Sequence, residues 1–370
     1  MLTTRFAVVI VSLVSLAAAP ARADEPFVPG TGSFLQNCSD DFEDESWSYT
    51  LRLPKSSYEQ DDKQRGPGGV SSNGLWHEGA KRGTPDVVKR IDTPPGGIEG
   101  SKGALMFATK ASGIPGRVTN EQQQDDLLMK FDRVTKRQIP VTWRPSCTVR
   151  VFLPEWDRWE QRTGPSFGMR ADAVGQRYDG ENGAFWPGMF IVFKSSRSRG
   201  VEADHAQITI RSNKNGKDMG SVEIMEPGWW TLGMSFTPDG QIHYYASEGV
   251  DDLTEEDYLA SSFPYNYKCL CFNNFFFNVA NWDNGQNWST PWVIDDPKIF
   301  VTPPAGETLA NIYRKKGQRV PRYVATIEYE ADKKNKSGWG GLFSWGGNKS
   351  KRTYSSSRSN SSRPGSPRNR

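Results

Sequence analysis

The chain has 370 residues with 36% hydrophobic and 24% charged side chains, and only its N-terminus carries a long apolar run, which excludes a multi-spanning helical membrane protein. The formal net charge of +3 hides two opposite parts. Residues 306–370 contain 15 Lys and Arg against 4 Asp and Glu, a net charge of +11, whereas residues 24–305 contain 29 against 39, a net charge of −10. The sequence therefore predicts an acidic folded body followed by a basic tail.

The first 23 residues have the pattern of an export signal. Arg5 precedes an apolar stretch from Phe6 to Leu16, and the small-residue pattern Ala21-Arg22-Ala23 follows. This stretch of eleven residues is too short to cross roughly 30 Å of hydrocarbon, so cleavage after Ala23 is favoured over a membrane anchor. We expect a secreted protein, periplasmic or extracellular, with no transmembrane segment in the mature chain.

An oxidising compartment allows disulfide bonds, and four cysteines permit three pairings. The cysteines are Cys38, Cys147, Cys269 and Cys271. The last two are two residues apart, so on a strand they would share a face and could not easily bond each other. A zinc site is not supported, because the three histidines lack metal-ligand spacing. The histidines are His77, His205 and His243.

The body reads as short alternating strands separated by Gly, Pro, Asn and Asp. The predicted strands are Ser48–Leu53, Ala104–Thr109, Thr148–Leu153, Ser166–Arg170, Met189–Lys194, Gln207–Arg211, Ser221–Met225, Thr231–Thr237, Gln241–Ser247, Leu270–Val279 and Pro297–Val301. Asp239-Gly240 lies between two apolar-rich runs and indicates a hairpin. Helix is predicted only in two short polar stretches, Asn120–Phe131 and Leu253–Ser261, the second with a capping threonine, Thr254.

Eleven strands over this length correspond to one domain of two packed sheets. We therefore predict an all-β fold, an antiparallel jelly-roll β-sandwich with short helices. An N-terminal linker, 24–39, precedes the jelly-roll domain, 40–305, and a short extension, 306–332, follows it. The segment 333–370 is rich in Ser, Arg and Gly, with too little apolar content to offset the entropy of folding, which predicts a disordered basic tail.

Three segments carry a resemblance to a known superfamily. They are Asp40-Asp41-Phe42 ahead of Trp47, Gly228-Trp229-Trp230-Thr231-Leu232 with the Asp239-Gly240 hairpin, and Trp292-Val293-Ile294-Asp295-Asp296-Pro297. Together they resemble the concanavalin A-like lectin/glucanase superfamily, in particular its laminin-G-like branch. The resemblance implies a curved jelly roll whose concave sheet often holds sugars. The fold hosts lectins, lyases and hydrolases, so it does not choose between them.

Two classes of enzyme with this fold, retaining glucanases and polysaccharide lyases, require particular residues. The paired carboxylates of a retaining glucanase, on one strand and one face, are absent. A polysaccharide lyase needs a cation for the uronate carboxylate and a His or Tyr for the C5 proton. Gln241-Ile242-His243 resembles a strand of alginate-lyase-like jelly rolls, although the companion signatures of that family are missing. The candidate lyase residues are His243, Tyr245, Gln241, Arg150, Arg170 and Arg211. The competing interpretation is that His243 is a packed histidine.

A binding function rests on aromatic residues, because sugar rings stack on exposed aromatic faces. Adjacent residues on a strand face opposite ways, so one residue of Trp229-Trp230 and one of Tyr244-Tyr245 is expected to point outward. The segment from Asn281 to Trp288 combines amides and aromatics as a ligand-binding loop does, or is a plain Asn/Gly turn. The candidate ligand-binding residues are Trp229, Tyr244, Trp282, Asn284, Asn287 and Trp288.

The first and last strands of a jelly roll usually lie side by side. Asp40 or Asp41 is then expected near Asp295 or Asp296, and such a group of carboxylates is one way to bind calcium. The basic tail is expected either to bind an anionic surface or to keep the protein solvated. Its Ser/Arg bias without a folded basic face argues against a nucleic-acid domain.

The function predicted from the sequence is therefore that of a secreted carbohydrate-binding or surface-associated protein, with a polysaccharide or glycan as partner. A polysaccharide lyase or glycoside hydrolase acting on the concave sheet is the first alternative. A structural envelope protein is the second.

Overall fold

A computed structural model describes residues 24–53, 55, 68–79, 81–110, 112, 118–135, 138–308, 310–311 and 314. All of these residues belong to one compact unit, Met1–Glu328. The predicted signal peptide and basic tail lie outside the described residues. Among the described residues, no helix is both long and apolar enough to cross a bilayer.

The regular secondary structure of the described residues is mainly β-strand. Its strands are β1 Ser33–Phe34, β2 Tyr49–Thr50, β3 Val70–Ser71, β4 Trp76–Glu78, β5 Val87–Ile91, β6 Ala104–Ala108, β7 Gln122–Met129, β8 Ile139–Pro140, β9 Ser146–Leu153, β10 Ser166–Arg177, β11 Asn182–Phe185, β12 Gly188–Lys194, β13 His205–Arg211, β14 Asp218–Ile224, β15 Gly228–Phe236, β16 Ile242–Glu248, β17 Tyr258–Ser262, β18 Tyr267–Trp282 and β19 Trp292–Val301. One α-helix, α1, is a single turn at Asp132–Thr135, and the described residues Ala310, Asn311 and Arg314 are also helical.

The strands form two sheets, and all the strand pairs within them are antiparallel. The small sheet has the order β17-β16-β15-β9-β19-β6-β5, with β1 also paired to β19. The large sheet has the order β14-β13-β12-β10-β18-β7-β4-β3-β2, with β11 paired to β10 and β8 to β18. The predicted all-β jelly-roll sandwich is confirmed by this architecture.

Strand alternation places one face of each sheet in the core. Along β10, Phe167, Met169 and Ala171 are buried in the core cluster, whereas Arg170 points to the opposite face. Aromatic rings join the two sheets: the ring of Phe277 on β18 lies 6.1 Å from that of Phe107 on β6. Burial of these rings supplies much of the hydrophobic stabilisation of the sandwich.

All eleven predicted strands overlap observed ones, but both predicted helices are wrong. Asn120–Phe131 contains strand β7, which pairs with β18 from Met129 opposite Phe275 to Gln122 opposite Trp282. Leu253–Ser261 contains a one-turn 3-10 helix, Glu255–Asp257, and then strand β17. The predicted capping role of Thr254 is confirmed, because Thr254 and Asp257 form a reciprocal capping box.

The predicted N-terminal linker, 24–39, is partly built into the small sheet. Ser33 and Phe34 pair with Val301 and Phe300 of β19, and Leu35 and Cys38 are buried in the core. The neighbour of the last strand is thus β1, which the sequence did not predict, whereas the predicted first strand, Ser48–Leu53, contains β2 at the edge of the large sheet.

Disulfide bonds, which the sequence allows, do not join any of the four cysteines in this structure. Three of them are buried, and burial raises the thiol pKa of Cys38 to about 12. Cys271 is half-buried and lies two positions from Cys269 on the irregular part of β18. The cysteines therefore act as small core residues in this structure.

Candidate functional site

The outer face of the large sheet, opposite to the core, carries a cavity of about 240 Å³ that we call the cationic groove. It is lined by Lys81, Arg82, Asp126, Arg170, Trp186, Arg211, Tyr265 and Phe276. Four of these side chains are cations, one is a carboxylate and three are aromatic. The volume lies below the range typical of drug-sized ligand pockets, which suits a single sugar-sized group.

Arg170 is the most buried cation of the groove. It is held on β10 between the rings of Phe190 and Phe276, with its guanidinium carbon 5.5 and 5.3 Å from the ring centroids. Its guanidinium donates to Asn278 Oδ1 at 3.2 Å and to the carbonyl of Trp186 at 2.7 Å. Within the described residues, its Nε has no hydrogen-bond partner. Burial, together with the positive charges of Arg211 and Arg82, lowers the pKa of Arg170 to about 10.

Arg211 of β13 shares the ring of Phe190 with Arg170, its guanidinium carbon lying 4.8 Å from the centroid. It forms a two-point ion pair with Asp218 and donates to the hydroxyl of Tyr265 at 3.2 Å. Tyr265 itself is in the left-handed backbone region, with φ 57° and ψ 21°. A non-glycine residue there costs about 1–3 kcal/mol and persists only where the surroundings fix it.

Asp126 of β7 is the acidic member of the groove. Its carboxylate accepts a hydrogen bond from the Asn278 amide, whose oxygen in turn accepts one from Arg170. Burial is the main cause that raises the pKa of Asp126 to about 6, and the charges of Arg82 and Arg170 act against it. The carboxylate therefore changes its charge near neutral pH.

At the mouth of the groove, the ammonium group of Lys81 lies 3.6 Å from the ring centroid of Trp186. Trp186 is half-buried and Lys81 is exposed. Cations and aromatic faces thus alternate along the groove from its mouth to Arg170. Such a surface can bind an anionic group and stack a ring at the same time.

A second concavity of about 430 Å³ lies where β10 begins and β18 ends, and we call it the rim cleft. It is lined by Glu160, Gln161, Arg162, Arg197, Gln286, Asn287 and Trp288. Two of the predicted ligand-binding residues, Asn287 and Trp288, therefore line a cavity. Trp282 lies beneath it, with Arg162 5.3 Å above its ring. Asn284 is a turn residue, since its side-chain oxygen accepts from the backbone N–H groups of Gln286 and Asn287.

The candidate lyase residues do not come together, and this prediction needs correction. Arg170 and Arg211 lie on the outer face of the large sheet, whereas His243 and Tyr245 point outward from the small sheet. Two packed sheets, about 10 Å apart, separate the two groups. Gln241 lies in the turn between β15 and β16.

His243 is a packed histidine. It is fully buried, and its ring nitrogens contact the hydroxyls of Thr237 and Ser261. Burial lowers its pKa to about 4, so the ring is neutral at neutral pH. Tyr245 is also buried, with its pKa raised to about 12 by burial.

Arg150 is engaged by other groups on the outer face of the small sheet. Its guanidinium contacts Asp252 at 2.5 Å and Asp296 at 3.2 Å, and its Nε donates to the carbonyl of Val250. It therefore supplies no cation to the groove.

The expectation that Trp229 and Tyr244 are exposed is wrong. Tyr244 points into the core and has no exposed surface. Trp229 points outward from the small sheet, as alternation permits, but only 5% of it is exposed. Its indole N–H donates to the carbonyl of Pro95, because the loop around Pro95 covers this face. Neither ring is presented to a ligand in this structure.

The four aspartates proposed for calcium are near one another but have protein partners. Asp40 Oδ2 accepts from the indole N–H groups of Trp76 and Trp47 and from the Asn73 amide. Asp41 accepts from a backbone N–H, and Asp295 from the Ser101 hydroxyl. Asp296 contacts two cations.

These carboxylates do not fit a calcium site. Their oxygens already face N–H groups, a hydroxyl and cations rather than an open cage of oxygens, which calcium requires. In the part of the chain that the structure describes, no group of three or more His, Cys, Asp or Glu side chains is placed to hold a metal ion. Calcium binding is left without a ligand set among these residues.

Several groove residues were not identified from the sequence: Lys81, Arg82, Asp126, Trp186, Tyr265 and Phe276. Asp126 was hidden in a predicted helix, and Lys81 and Arg82 lie in a loop. One signal was present, since Arg170 is the charged residue within 166–171, the fully buried first half of β10. Such a position indicates either a buried ion pair or a site.

No protein-family model matches the chain, and no curated protein matches it. Among solved structures, the CBM2 module of the evolved Dit protein of Lactobacillus casei BL23 phage J-1 is similar, with 9% identity, a TM-score of 0.31 and coverage of 73% of this chain and 96% of that one. The marine PL7 alginate lyase AlyA1 from Zobellia galactanivorans has 8% identity, a TM-score of 0.34 and coverage of 69% and 95%. Alginate lyase PA1167 from Pseudomonas aeruginosa has 8% identity, a TM-score of 0.35 and coverage of 59% and 86%.

At 8–9% identity and TM-scores of 0.31–0.35, the likeness to these solved structures is weak. Neither a ligand nor a reaction follows from it, because one fold carries many functions. The chemistry of this chain has to come from its own residues.

Proposed function

We propose that the chain binds an acidic polysaccharide, with one charged sugar residue held in the cationic groove. The observation that carries this proposal is the state of Arg170. Its guanidinium is buried beside two other arginines, and among the described residues no carboxylate lies within ion-pair distance of it. A buried cation that forms no direct ion pair is costly, and a bound anion would offset that cost.

The groups around Arg170 favour a sugar carboxylate or sulfate over a small inorganic anion. Arg170 and Arg211 share the ring of Phe190, so an anion between them would lie beside the positive charges of both guanidinium groups. The ring faces of Trp186 and Tyr265 line the same cavity and would take the C–H side of a pyranose. An inorganic anion would use the cations alone.

We propose binding rather than cleavage, because neither of the catalytic bases that the sequence suggested, His243 and Tyr245, lies in the groove. His243 and Tyr245 lie on the other side of the sandwich and are buried. Incubation of the chain from residue 24 with acidic and neutral polysaccharides tests this choice. The measurements are the absorbance of unsaturated uronates and the amount of new reducing ends. Product formation by the unaltered chain would replace the binding function with that of an enzyme.

Calorimetric titration of the chain from residue 24 with alginate, pectate, chondroitin sulfate and neutral glucan oligosaccharides tests the binding function. The informative variants are Lys81→Glu and Trp186→Ala, which change the exposed mouth of the groove and not its buried base. We expect each to weaken acidic-oligosaccharide binding by about tenfold, since a lost stacking or charge contact costs roughly 1–2 kcal/mol.

Lys89→Glu is the matched control for Lys81→Glu. Lys89 is an exposed lysine on β5 of the small sheet, so its reversal changes the net charge equally but leaves the groove intact. Equal losses of affinity for Lys81→Glu and Lys89→Glu would show a general charge effect and would contradict binding in the groove. Undiminished binding of acidic oligosaccharides by the Trp186→Ala variant would contradict it as well.

A further inference from the structure

The rim cleft has features of a binding site of a different kind from the groove. Trp288 is 50% exposed, whereas the other described tryptophans are buried or half-buried. A large aromatic ring left in solvent beside polar side chains is typical of a contact surface. The cleft beside it is the larger of the two cavities, at about 430 Å³.

The loop that carries Trp288 is held in place from below. The amide of buried Asn281 donates to the carbonyls of Lys110 and Asn287, and the backbone N–H of Ser289 donates to Thr109 at 2.6 Å. Buried Asp283 accepts from the backbone N–H and the hydroxyl of Thr119. The exposed ring is therefore presented by a pre-formed loop, which lowers the entropy cost of binding.

The rim cleft carries less positive charge than the groove. Glu160 forms a two-point ion pair with Arg162, at 2.8 and 3.2 Å, and also accepts the backbone N–H of Trp282. Arg197, exposed at the edge, interacts electrostatically with Asp204. The lining of the cleft thus has two cations against one carboxylate, whereas that of the groove has four cations against one. It offers an indole face and the amides of Gln161, Gln286 and Asn287.

We infer that the rim cleft is a second carbohydrate site, which takes an uncharged pyranose residue stacked on Trp288 with its hydroxyls bound by the neighbouring amides and Arg162. This inference does not rest on the groove, since the two sites have different linings and no residue in common. The chain would then have one site that depends on charge and one that depends on stacking.

The experiment titrates the chain from residue 24 with neutral oligosaccharides of β-glucan, xylan, mannan and chitin type, at low and at high salt. We expect at least one to bind with little dependence on salt. Trp288→Ala should weaken that binding by about tenfold or more, and Trp288→Phe should retain part of it, because a smaller ring still stacks.

Tyr178→Ala is the matched control, because Tyr178 is 79% exposed in the turn after β10 and is an aromatic residue outside both cavities. It should leave all titrations unchanged. The inference is overturned if no neutral oligosaccharide binds, or if Trp288→Ala and Tyr178→Ala behave alike. It is also overturned if Trp288→Ala changes only the sedimentation coefficient, since the ring would then belong to a contact between copies of the chain. Lys81→Glu should spare the neutral ligand, so failure of one site is distinguishable from failure of the other.

Discussion

Asp126 makes the charge of the groove depend on pH. The groups that face it are Arg82, Arg170, Asp125 and the Asn278 amide, and the net effect of burial and these charges raises its pKa to about 6. Below that pH the carboxyl is neutral, and above it the negative charge opposes an anionic ligand. We expect affinity for acidic oligosaccharides to fall by about fivefold as the pH rises through 6, as one partly screened charge implies.

The Asp126→Asn variant should remove this pH dependence and bind more tightly at pH 7 and above. An asparagine keeps the shape and can still accept from Asn278. Asp157→Asn is a suitable control, because Asp157 is a well-exposed carboxylate between β9 and β10, away from both cavities. A pH profile that Asp126→Asn leaves unchanged would assign the titration to another group.

Ionisation of the buried Asp295 carboxyl should lower the free energy of unfolding as the pH rises. Its side chain is 1% exposed on β19, and burial raises its pKa from 3.8 to about 7, with Asp296 and Glu43 adding repulsion. Between about pH 4 and pH 7 the folded state therefore keeps a proton that the unfolded state releases. The contribution of Asp295 to the free energy of unfolding is highest below pH 4 and falls until the pH reaches about 7. Asp295→Asn should be more stable than the parent at pH 7 by about 1–3 kcal/mol.

Denaturant unfolding of both proteins at several pH values measures this difference. Other buried carboxylates, such as Asp40 and Asp172, also have raised pKa values, but their contributions cancel in the comparison. Equal stabilities at pH 4 and a gap that widens toward pH 7 are expected. A gap that does not depend on pH would mean that the carboxylate is charged throughout.

At the residue scale, alternation correctly places Tyr244 and Tyr245, and Trp229 and Trp230, on opposite sides of a strand. It cannot show what covers the outward side. Loops from distant parts of the chain lie over the outer face of the small sheet, so outward residues such as His243 and Trp229 are buried as well. The rim loop was identifiable because its exposed residues are adjacent in sequence.

At the scale of the strand, β7 shows how neighbours override local preference. The sequence Gln122–Met129 is polar at first and lacks β-branched residues, which favours a helix. It is a strand because it lies between β18 and β4, where Leu127 and Met129 enter the core and Asp126 faces the groove. Predicting this would require knowing that β18 needs a partner on that side.

Leu127 and Leu128 provide a test of this strand. Leu127 is fully buried in the core, and Leu128, the next residue, points to the opposite face and is half-buried. Leu127→Ala should lower the free energy of unfolding by about 2–5 kcal/mol and Leu128→Ala by clearly less, because only the first leaves a core cavity. Denaturant unfolding of the two variants measures this. Similar losses for both would not fit an alternating strand.

At the scale of the whole molecule, the two-sheet fold was predictable because a period of two recurs in nearly every segment. The groove was not, because it assembles side chains from Lys81 to Phe276 through strand order. The pairing of β18 with β10 and β7 brings Arg170, Asn278 and Asp126 together. No local pattern records which strands are neighbours.

The charge division between body and tail leads to a prediction for the full chain. Residues 333–370 contain ten Lys and Arg and no Asp or Glu, against a net charge of −10 for residues 24–305. An anionic surface should therefore attract the tail and repel the body, with each tail cation near the surface contributing up to about 1 kcal/mol. We expect the chain 24–370 to bind vesicles rich in anionic lipid at low salt and the chain 24–332 to bind them at least tenfold more weakly.

A full-length variant with the ten tail cations replaced by glutamine separates charge from length, and it should behave like the truncated chain. Acidic-oligosaccharide affinity should stay within about twofold in all three proteins, because the groove lies entirely in the body and short-range contacts dominate it. If vesicle binding survives both changes, the attraction lies in the body. Because the acidic net charge of the body opposes that attraction, the clustered cations of the groove would have to supply it. Lys81→Glu would then abolish vesicle binding, and the tail would serve to keep the chain solvated.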